Sequence, residues 1–491
     1  MMRASLSIDT QRIIDVIDER IYSSFIEHMG RAVYGGIYEP QHKTADAYGF
    51  RQDVMELIRP LNIPLIRYPG GNFVSGYDWE DGVGRNRYKR LDPAWQQLEP
   101  NEVGTDEFHG WAKRVNTGVM MAVNLGTRGP SEAANLLEYC NFPAGTKYAD
   151  MRVENGNAEP YNDKVWCLGN EMDGIWQVGH RTVQDYADTA RKTACLMKML
   201  DPSLELVACG SANYQMPTFG AWERAVLEQA YDQISFLSLH QYYQNPGNNT
   251  PEFLGCAKEM DGFINTVTAI CDAVGGARRT DKKVHLSFDE WNVWPKHSCD
   301  NSADQWMIGP RRGEFEFTME DALVFGTLLN TLIHHCDRVK MACLAQLVNV
   351  CAPIMTENGG VAWANTIYYP FLHASTYGRG TALMETLECP TYTAGRHGET
   401  QLVSTSVVLS ENKDEITVFA VNRSLNEGVE MSLSGFDGYT MKEHIVMTAK
   451  DLEDTNTADH PDLVMPHNAT IAQSGSVTLE KASWNVVRLS K

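Results

Sequence analysis

Two glutamates have the setting that acid–base chemistry requires. Glu171 closes the apolar run VWCLGNE and Glu290 closes VHLSFDE, so each carboxyl stands at the edge of a water-poor segment. Hydrolysis of a glycosidic bond uses two such groups, one to protonate the leaving oxygen and one to attack or to activate water. Partial desolvation raises a carboxyl pKa toward the range a general acid needs. An ion-pair network of both glutamates with Arg67 is the structural alternative. Competing chemistries lack their motifs, since neither HExxH nor GxSxG occurs. Gly82 and Gly84 in DGVGRNR lack the third glycine of a dinucleotide fingerprint and follow no clear strand. His334 and His335 are adjacent on a helical pattern and so face different ways; no metal and no cofactor are expected.

A repeated alternation of short β-prone runs and helical patterns must position these groups. From Tyr22 to about residue 380 eight apolar runs occur: SSFIE ending at Glu27, IPLIRYP (63–69), VMMAVNLG (119–126), VWCLGNE (165–171), LELVACGS (204–211), FLSLHQY (236–242), VHLSFDE (284–290) and VKMACLAQL (339–347). Helical stretches such as FRQDVMELIRPL, PSEAANLLEYC, TVQDYADTARKTACLMKML and MEDALVFGTLLNTLIHHC separate them, with apolar residues three and four apart. Eight such units predict a closed (β/α)8 barrel, a TIM barrel, over 15–380. After residue 380 the pattern becomes alternating strands with polar turns (LVSTSVVLS, ITVFAVNRS, VEMSLSGFDG, SVTLEK, WNVVRLS), which predicts an all-β, jelly-roll-like sandwich over 381–491. The early run ASLSID pairs into that sandwich, giving it residues 1–14 as well. Ten of the 11 tryptophans precede residue 380, which concentrates aromatic contact surface in the barrel.

Active sites of such barrels lie at the C-terminal strand ends, and polar residues recur there strand after strand. They are Glu27; Arg67, followed by the turn PGGN with Asn72; Asn124; Asn170 and Glu171; His240 and Tyr242; Asp289, Glu290, Trp291 and Asn292; and Gln346. Any one alone could cap a helix or join a rim salt bridge. A closed barrel brings them all to one mouth.

The formal net charge of −21 disfavours nucleic acid and anionic membranes, which call for basic patches; a neutral sugar fits better. No apolar run approaches the ~20 residues of a membrane span, and the first twenty residues carry charges throughout the window a signal peptide needs. The 11 cysteines form no CxxC pair and read as buried thiols of a reducing compartment, so the expected location is the cytoplasm.

Several long motifs resemble those of the intracellular α-L-arabinofuranosidases of glycoside hydrolase family 51: RYPGGNFVSGYDWEDGVG, WCLGNEMDG, SFDEWNVW and ACLAQLVNVCAPI, with IEHMGRAVYGGIYEP, VNLGTRG and GSANYQMPTF in the same order. The resemblance implies that Glu171 is the acid/base and Glu290 the nucleophile. It further implies that Glu27, Arg67, Asn72, Asn170, Tyr242 and Gln346 line the subsite for a terminal arabinofuranose. Asn170 would bond the sugar 2-hydroxyl, Tyr242 would hold Glu290, and His240 would support that network. Trp95, Trp176 and Trp294 on the loops are candidates for an aromatic rim, with ordinary loop packing an equal reading for the first two. WANTIYYP departs from the family pattern at Ala364 and Asn365, which bears on leaving-group preference. Assembly as a homo-oligomer, a hexamer, is also implied.

The expected reaction is exo-acting, retaining hydrolysis of α-L-arabinofuranosyl groups from arabinan, arabinoxylan or arabino-oligosaccharides. Retention predicts carboxyl groups about 5 to 5.5 Å apart, against ~6.5 to 9.5 Å for inversion. The alternatives are the same machinery acting on β-xylosides or β-glucans, and a carbohydrate-binding protein without turnover.

Overall fold

A computed structural model describes residues 1–296, 304–471 and 475–491. Eight parallel strands close into a barrel in sequence order, strand eight pairing back onto strand one. They are Ser23–Phe25, Leu65–Tyr68, Gly118–Val123, Val165–Leu168, Glu205–Ala208, Phe236–Gln244, His285–Trp294 and Val339–Leu344. Each falls on one of the eight apolar runs. Their side chains alternate between a barrel interior, filled by Met120, Cys167, Val207 and Met341 among others, and the layer beneath the helices.

The expected helices form where apolar spacing and caps agree. In Val183–Leu200, Tyr186, Ala187, Ala190, Ala194 and Met197 make the buried face, and the Thr182 side chain caps the first turn by accepting from Asp185 N. FRQDVMELIRPL divides into an α-helix, Gln52–Ile58, and a 3-10 turn, Arg59–Leu61, as the proline requires. Among the described residues, no helix is long and apolar enough to cross a membrane.

The remaining large sheet has nine strands in one hydrogen-bonded order. Met2–Val16 lies inside it, antiparallel to Thr381–Glu388 and parallel to Val429–Ser434, and its pairing runs on to Val16 opposite Thr381. Leu6, Leu383, Val407, Val418, Met431 and Leu479 share one core, so the sheet wraps over itself. Helix Met319–His334 is buried on nearly every side, which explains why its sequence is apolar all round. It is wedged between barrel and sandwich: Asn330 accepts from Ser406 Oγ at 2.8 Å, and Gly326 lies under the Trp484 ring. His334 and His335 turn to separate partners, Glu385 and Asp261. The described cysteines are all unpaired, eight buried and Cys195 and Cys389 partly exposed; Cys299 lies outside the described residues.

Candidate active site

The polar strand ends converge on the barrel mouth. Arg67 lies within strand two, His240 and Tyr242 within strand six, and Glu290 within strand seven, which ends at Trp294. Glu27 and Gln346 each lie two residues past strands one and eight, and Asn72 opens a 3-10 turn, Asn72–Gly76. Glu171 does not terminate strand four but sits three residues beyond Leu168, in a turn that holds it at φ 43°. A non-glycine residue in that left-handed region costs on the order of 1–3 kcal/mol, strain that aims this carboxyl across the mouth instead of along the strand.

Glu290 is held at both oxygens. Arg67 Nη1 donates to Oε1 at 2.8 Å and the Tyr242 hydroxyl to Oε2 at 2.9 Å. The other Arg67 Nη donates to Asn170 Oδ1 at 2.6 Å, and Asn170 Nδ2 donates in turn to Asn72 Oδ1 at 3.2 Å. Across the site the Trp176 indole donates to Glu171 Oε2 at 2.8 Å, and His240 Nδ1 lies 3.0 Å from Glu171 Oε1. His240 Nε2 lies 2.9 Å from Asp289 Oδ1, and its Nδ1 stands 3.6 Å from Glu290 Oε2.

Asp289 and Glu290 are neighbours in sequence yet both face His240, where a regular strand would send them to opposite faces. The register between strands six and seven shifts between Ser287 and Glu290, and that irregularity turns both carboxyls inward.

Two basic side chains, Arg67 and His240, meet four carboxyl groups, Glu27, Glu171, Asp289 and Glu290, all buried but the partly exposed Glu171. Burial opposes the charge on His240, but Glu290, Asp289 and Glu171 outweigh it and push its pKa up to about 10. Burial raises Glu171 above the ordinary carboxyl range; the His240 hydrogen bond opposes this and the Glu290 charge adds to it. Burial, then the Glu290 charge, pushes Glu27 up to about 8. One ligand atom from each of Glu171, His240 and Glu290 lies within 4.8 Å of the others, a spacing that would suit a metal. His240 Nδ1 stands between the two carboxyls, 3.0 Å from Glu171 Oε1 and 3.6 Å from Glu290 Oε2, an arrangement that also suits the movement of protons between them.

Glu27 occupies its own niche. Its Oε1 accepts from Phe73 N and from the Trp95 indole, both at 2.8 Å, and Gln346 Oε1 accepts from Glu27 N at 2.9 Å. The PGGN turn makes the room: a Cβ on Gly71 would stand 2.4 Å from Glu27 Oε2.

Residues 57–261 match the α-L-arabinofuranosidase 1 domain and residues 289–483 the α-L-arabinofuranosidase C-terminal domain. An intracellular exo-α-(1→5)-L-arabinofuranosidase of Acetivibrio thermocellus is 50% identical over 505 residues, covering 100% of both chains. An exo-α-(1→6)-L-arabinofuranosidase of Bifidobacterium longum is 44% identical, covering 99% of this chain and 97% of its own. The solved structure of a family 51 α-L-arabinofuranosidase from Bifidobacterium longum superposes with TM-score 0.95 at 42% identity, over 99% of each chain. The chain belongs to the family 51 α-L-arabinofuranosidases.

Within this family 51 chain the structure brings together Glu27, Arg67, Asn72, Asn170, Glu171, His240, Tyr242, Glu290 and Gln346. Trp294 stands at the rim, partly exposed, its ring edge-on to Tyr242 at 5.4 Å. Asn124 is spent locally, donating to Tyr77 O and accepting from Gly126 N and Thr127 N. Asn365 is buried and donates to Phe315 O, and the Phe315 ring packs on Trp294 at 4.9 Å. Three site residues exceed the sequence reading. Asp289 is half of the His240 clamp, and Trp95 and Trp176 donate to carboxylates where only rim stacking or loop packing was expected. For Trp176, five residues past Glu171, nearness in sequence was the available signal; for Trp95, 68 residues past Glu27, there was none.

Proposed function

We propose that this chain removes terminal non-reducing α-L-arabinofuranosyl groups with net retention, Glu171 acting as acid/base and Glu290 as nucleophile. The carrying observation is the pair itself: one oxygen of Glu171 and one of Glu290 lie within 4.8 Å of each other, close enough for the ~5 to 5.5 Å carboxyl spacing of retaining pairs. Glu171 gives its proton to the glycosidic oxygen as Glu290 attacks the anomeric carbon, and the C–O bond to the leaving sugar breaks. The ester on Glu290 is then hydrolysed by water, whose proton returns to Glu171. Burial raises the Glu171 pKa and so favours the protonated acid the first step needs, while Arg67 and Tyr242 fix the attacking carboxylate.

Arg67, Asn72, Asn170, Glu27 and Gln346 surround the remaining space and pair the hydroxyls of one compact furanose; a sugar leaving one of these groups unmatched is rejected. Asn170, oriented by Arg67, is the partner for the 2-hydroxyl, and Trp294 receives the leaving chain. The names of the relatives support arabino-oligosaccharides or arabinan inside the cytoplasm as the substrate, and family kinship supports a hexamer. They lend nothing to the β-xyloside or β-glucan reading.

Glu290→Ala is expected to abolish turnover of every arabinofuranoside. Glu171→Ala is expected to lose roughly 10²- to 10⁴-fold on arabino-oligosaccharides and far less on an aryl arabinofuranoside whose leaving group needs no proton. Equal losses of Glu171→Ala on both substrates would remove the assignment.

A further inference from the structure

Beside the active site, beyond strand six, lies a second pocket of about 570 Å³, within the ~300–1,000 Å³ typical of small-molecule sites. The barrel supplies one wall through Tyr242, Tyr243 and the segment that follows; the sandwich supplies the other through Arg396 and His397. Tyr242 ties it to the reaction centre, since its hydroxyl holds Glu290. Nothing in the proposed chemistry uses the rest of this pocket.

Its chemistry points to a neutral polyol. The hydroxyl of Tyr243, a residue only 2% exposed, has no hydrogen-bond partner among the described residues, and neither has His397 Nε2. A buried hydroxyl left without a partner costs on the order of 1–3 kcal/mol, so a ligand that supplies one is favoured. The amides of Gln215 and Gln244 are exposed on the same lining, each able to donate and accept as vicinal sugar hydroxyls do. Charge does not select for an anion: Arg396 is already engaged by Glu259 at 3.0 Å and Glu252 at 3.5 Å.

We infer that this pocket is a remote saccharide-binding site that holds a distal sugar of the substrate chain while its terminal arabinofuranose occupies the active site. The inference rests on the proposed arabinofuranosidase activity. It makes the sandwich a contributor to substrate binding, since Arg396 and His397 come from that domain.

The test compares an aryl α-L-arabinofuranoside, too short to reach the pocket, with linear arabino-oligosaccharides of increasing length. The wild-type KM is expected to fall as the oligosaccharide lengthens. In Tyr243→Phe, which deletes only the unpartnered hydroxyl, KM for the long oligosaccharides is expected to rise about three- to tenfold, with kcat/KM on the aryl substrate unchanged. Melting is expected at or above the wild-type temperature, because a buried polar group without a partner is removed. Gly247→Leu is the second variant. A Cβ there meets no atom within 4 Å, so the side chain is tolerated and narrows the pocket; the same split between substrates is expected. A wild-type KM independent of chain length, unchanged oligosaccharide KM in both variants, or equal losses on both substrates would overturn the remote site. Failure of the wild-type protein to cleave the aryl substrate would instead overturn the activity on which it rests.

Discussion

Replacing Trp176 by Phe isolates one hydrogen bond to the proposed acid. The indole N–H donates to Glu171 Oε2 at 2.8 Å, and a donor stabilises the ionised carboxylate more than the protonated acid. It therefore holds the Glu171 pKa down against burial, the larger effect, which raises it. Removing the donor raises the pKa further, and the basic limb of the kcat/KM profile moves to higher pH. Trp176 is 48% exposed, so water replaces part of what is lost and the net value is that of an ordinary hydrogen bond, about 0.5–1.5 kcal/mol. At about 1.4 kcal/mol per tenfold change, the limb moves up by roughly 0.4 to 1.1 pH units. The assay is kcat/KM on an aryl arabinofuranoside from pH 4 to 9 for both proteins, since that ratio reports the free enzyme. A limb that stays in place or moves to lower pH refutes both the role of Glu171 as the titrating acid and the role of Trp176 in holding it.

Two further perturbations probe the Glu27 niche. With its pKa at about 8 in the fold and an ordinary value of 4.5 when unfolded, the neutral Glu27 carboxyl contributes stability that is intact below about pH 4.5 and lost as pH rises through 8. The effect is on the order of 5 kcal/mol. Glu27→Gln should flatten the fall in melting temperature between pH 5 and 8.5, and a slope equal to wild type would contradict the burial argument. Gly71→Ala places a methyl 2.4 Å from Glu27 Oε2, so Glu27 must shift; about 1–3 kcal/mol of stability and a larger share of kcat should be lost, measured by melting and turnover together. Wild-type kcat in that variant would show that Glu27 placement does not matter to catalysis.

The barrel was legible because period dominates: each strand run is bounded by turn residues, and helices such as Val183–Leu200 repeat apolar residues at three and four. Convergence of the polar ends then followed from closure alone. What escaped depends on single-residue geometry. That Glu171 lies three residues past its strand at φ 43° is set by the turn from Gly169, and the pattern of apolar residues carries no dihedral information. The register shift in strand seven that brings Asp289 beside Glu290 leaves no compositional mark. The short hairpin Arg90–Asp92 and Gln97–Glu99, which presents Trp95 to Glu27, is too brief to show a period, and its turn is fixed by Asp92 accepting from Ala94 N and Trp95 N. The same limit hid the second pocket, whose walls come from residues about 150 positions apart in sequence.

The most direct measurement of the central claim is to trap the covalent intermediate. Incubation with a slow arabinofuranosyl substrate carrying a good leaving group, followed by proteolysis and mass spectrometry, should find the sugar esterified to the peptide bearing Glu290, with Glu171 unlabelled. A label on another residue, or release of the inverted anomer with no labelled peptide, would contradict the account.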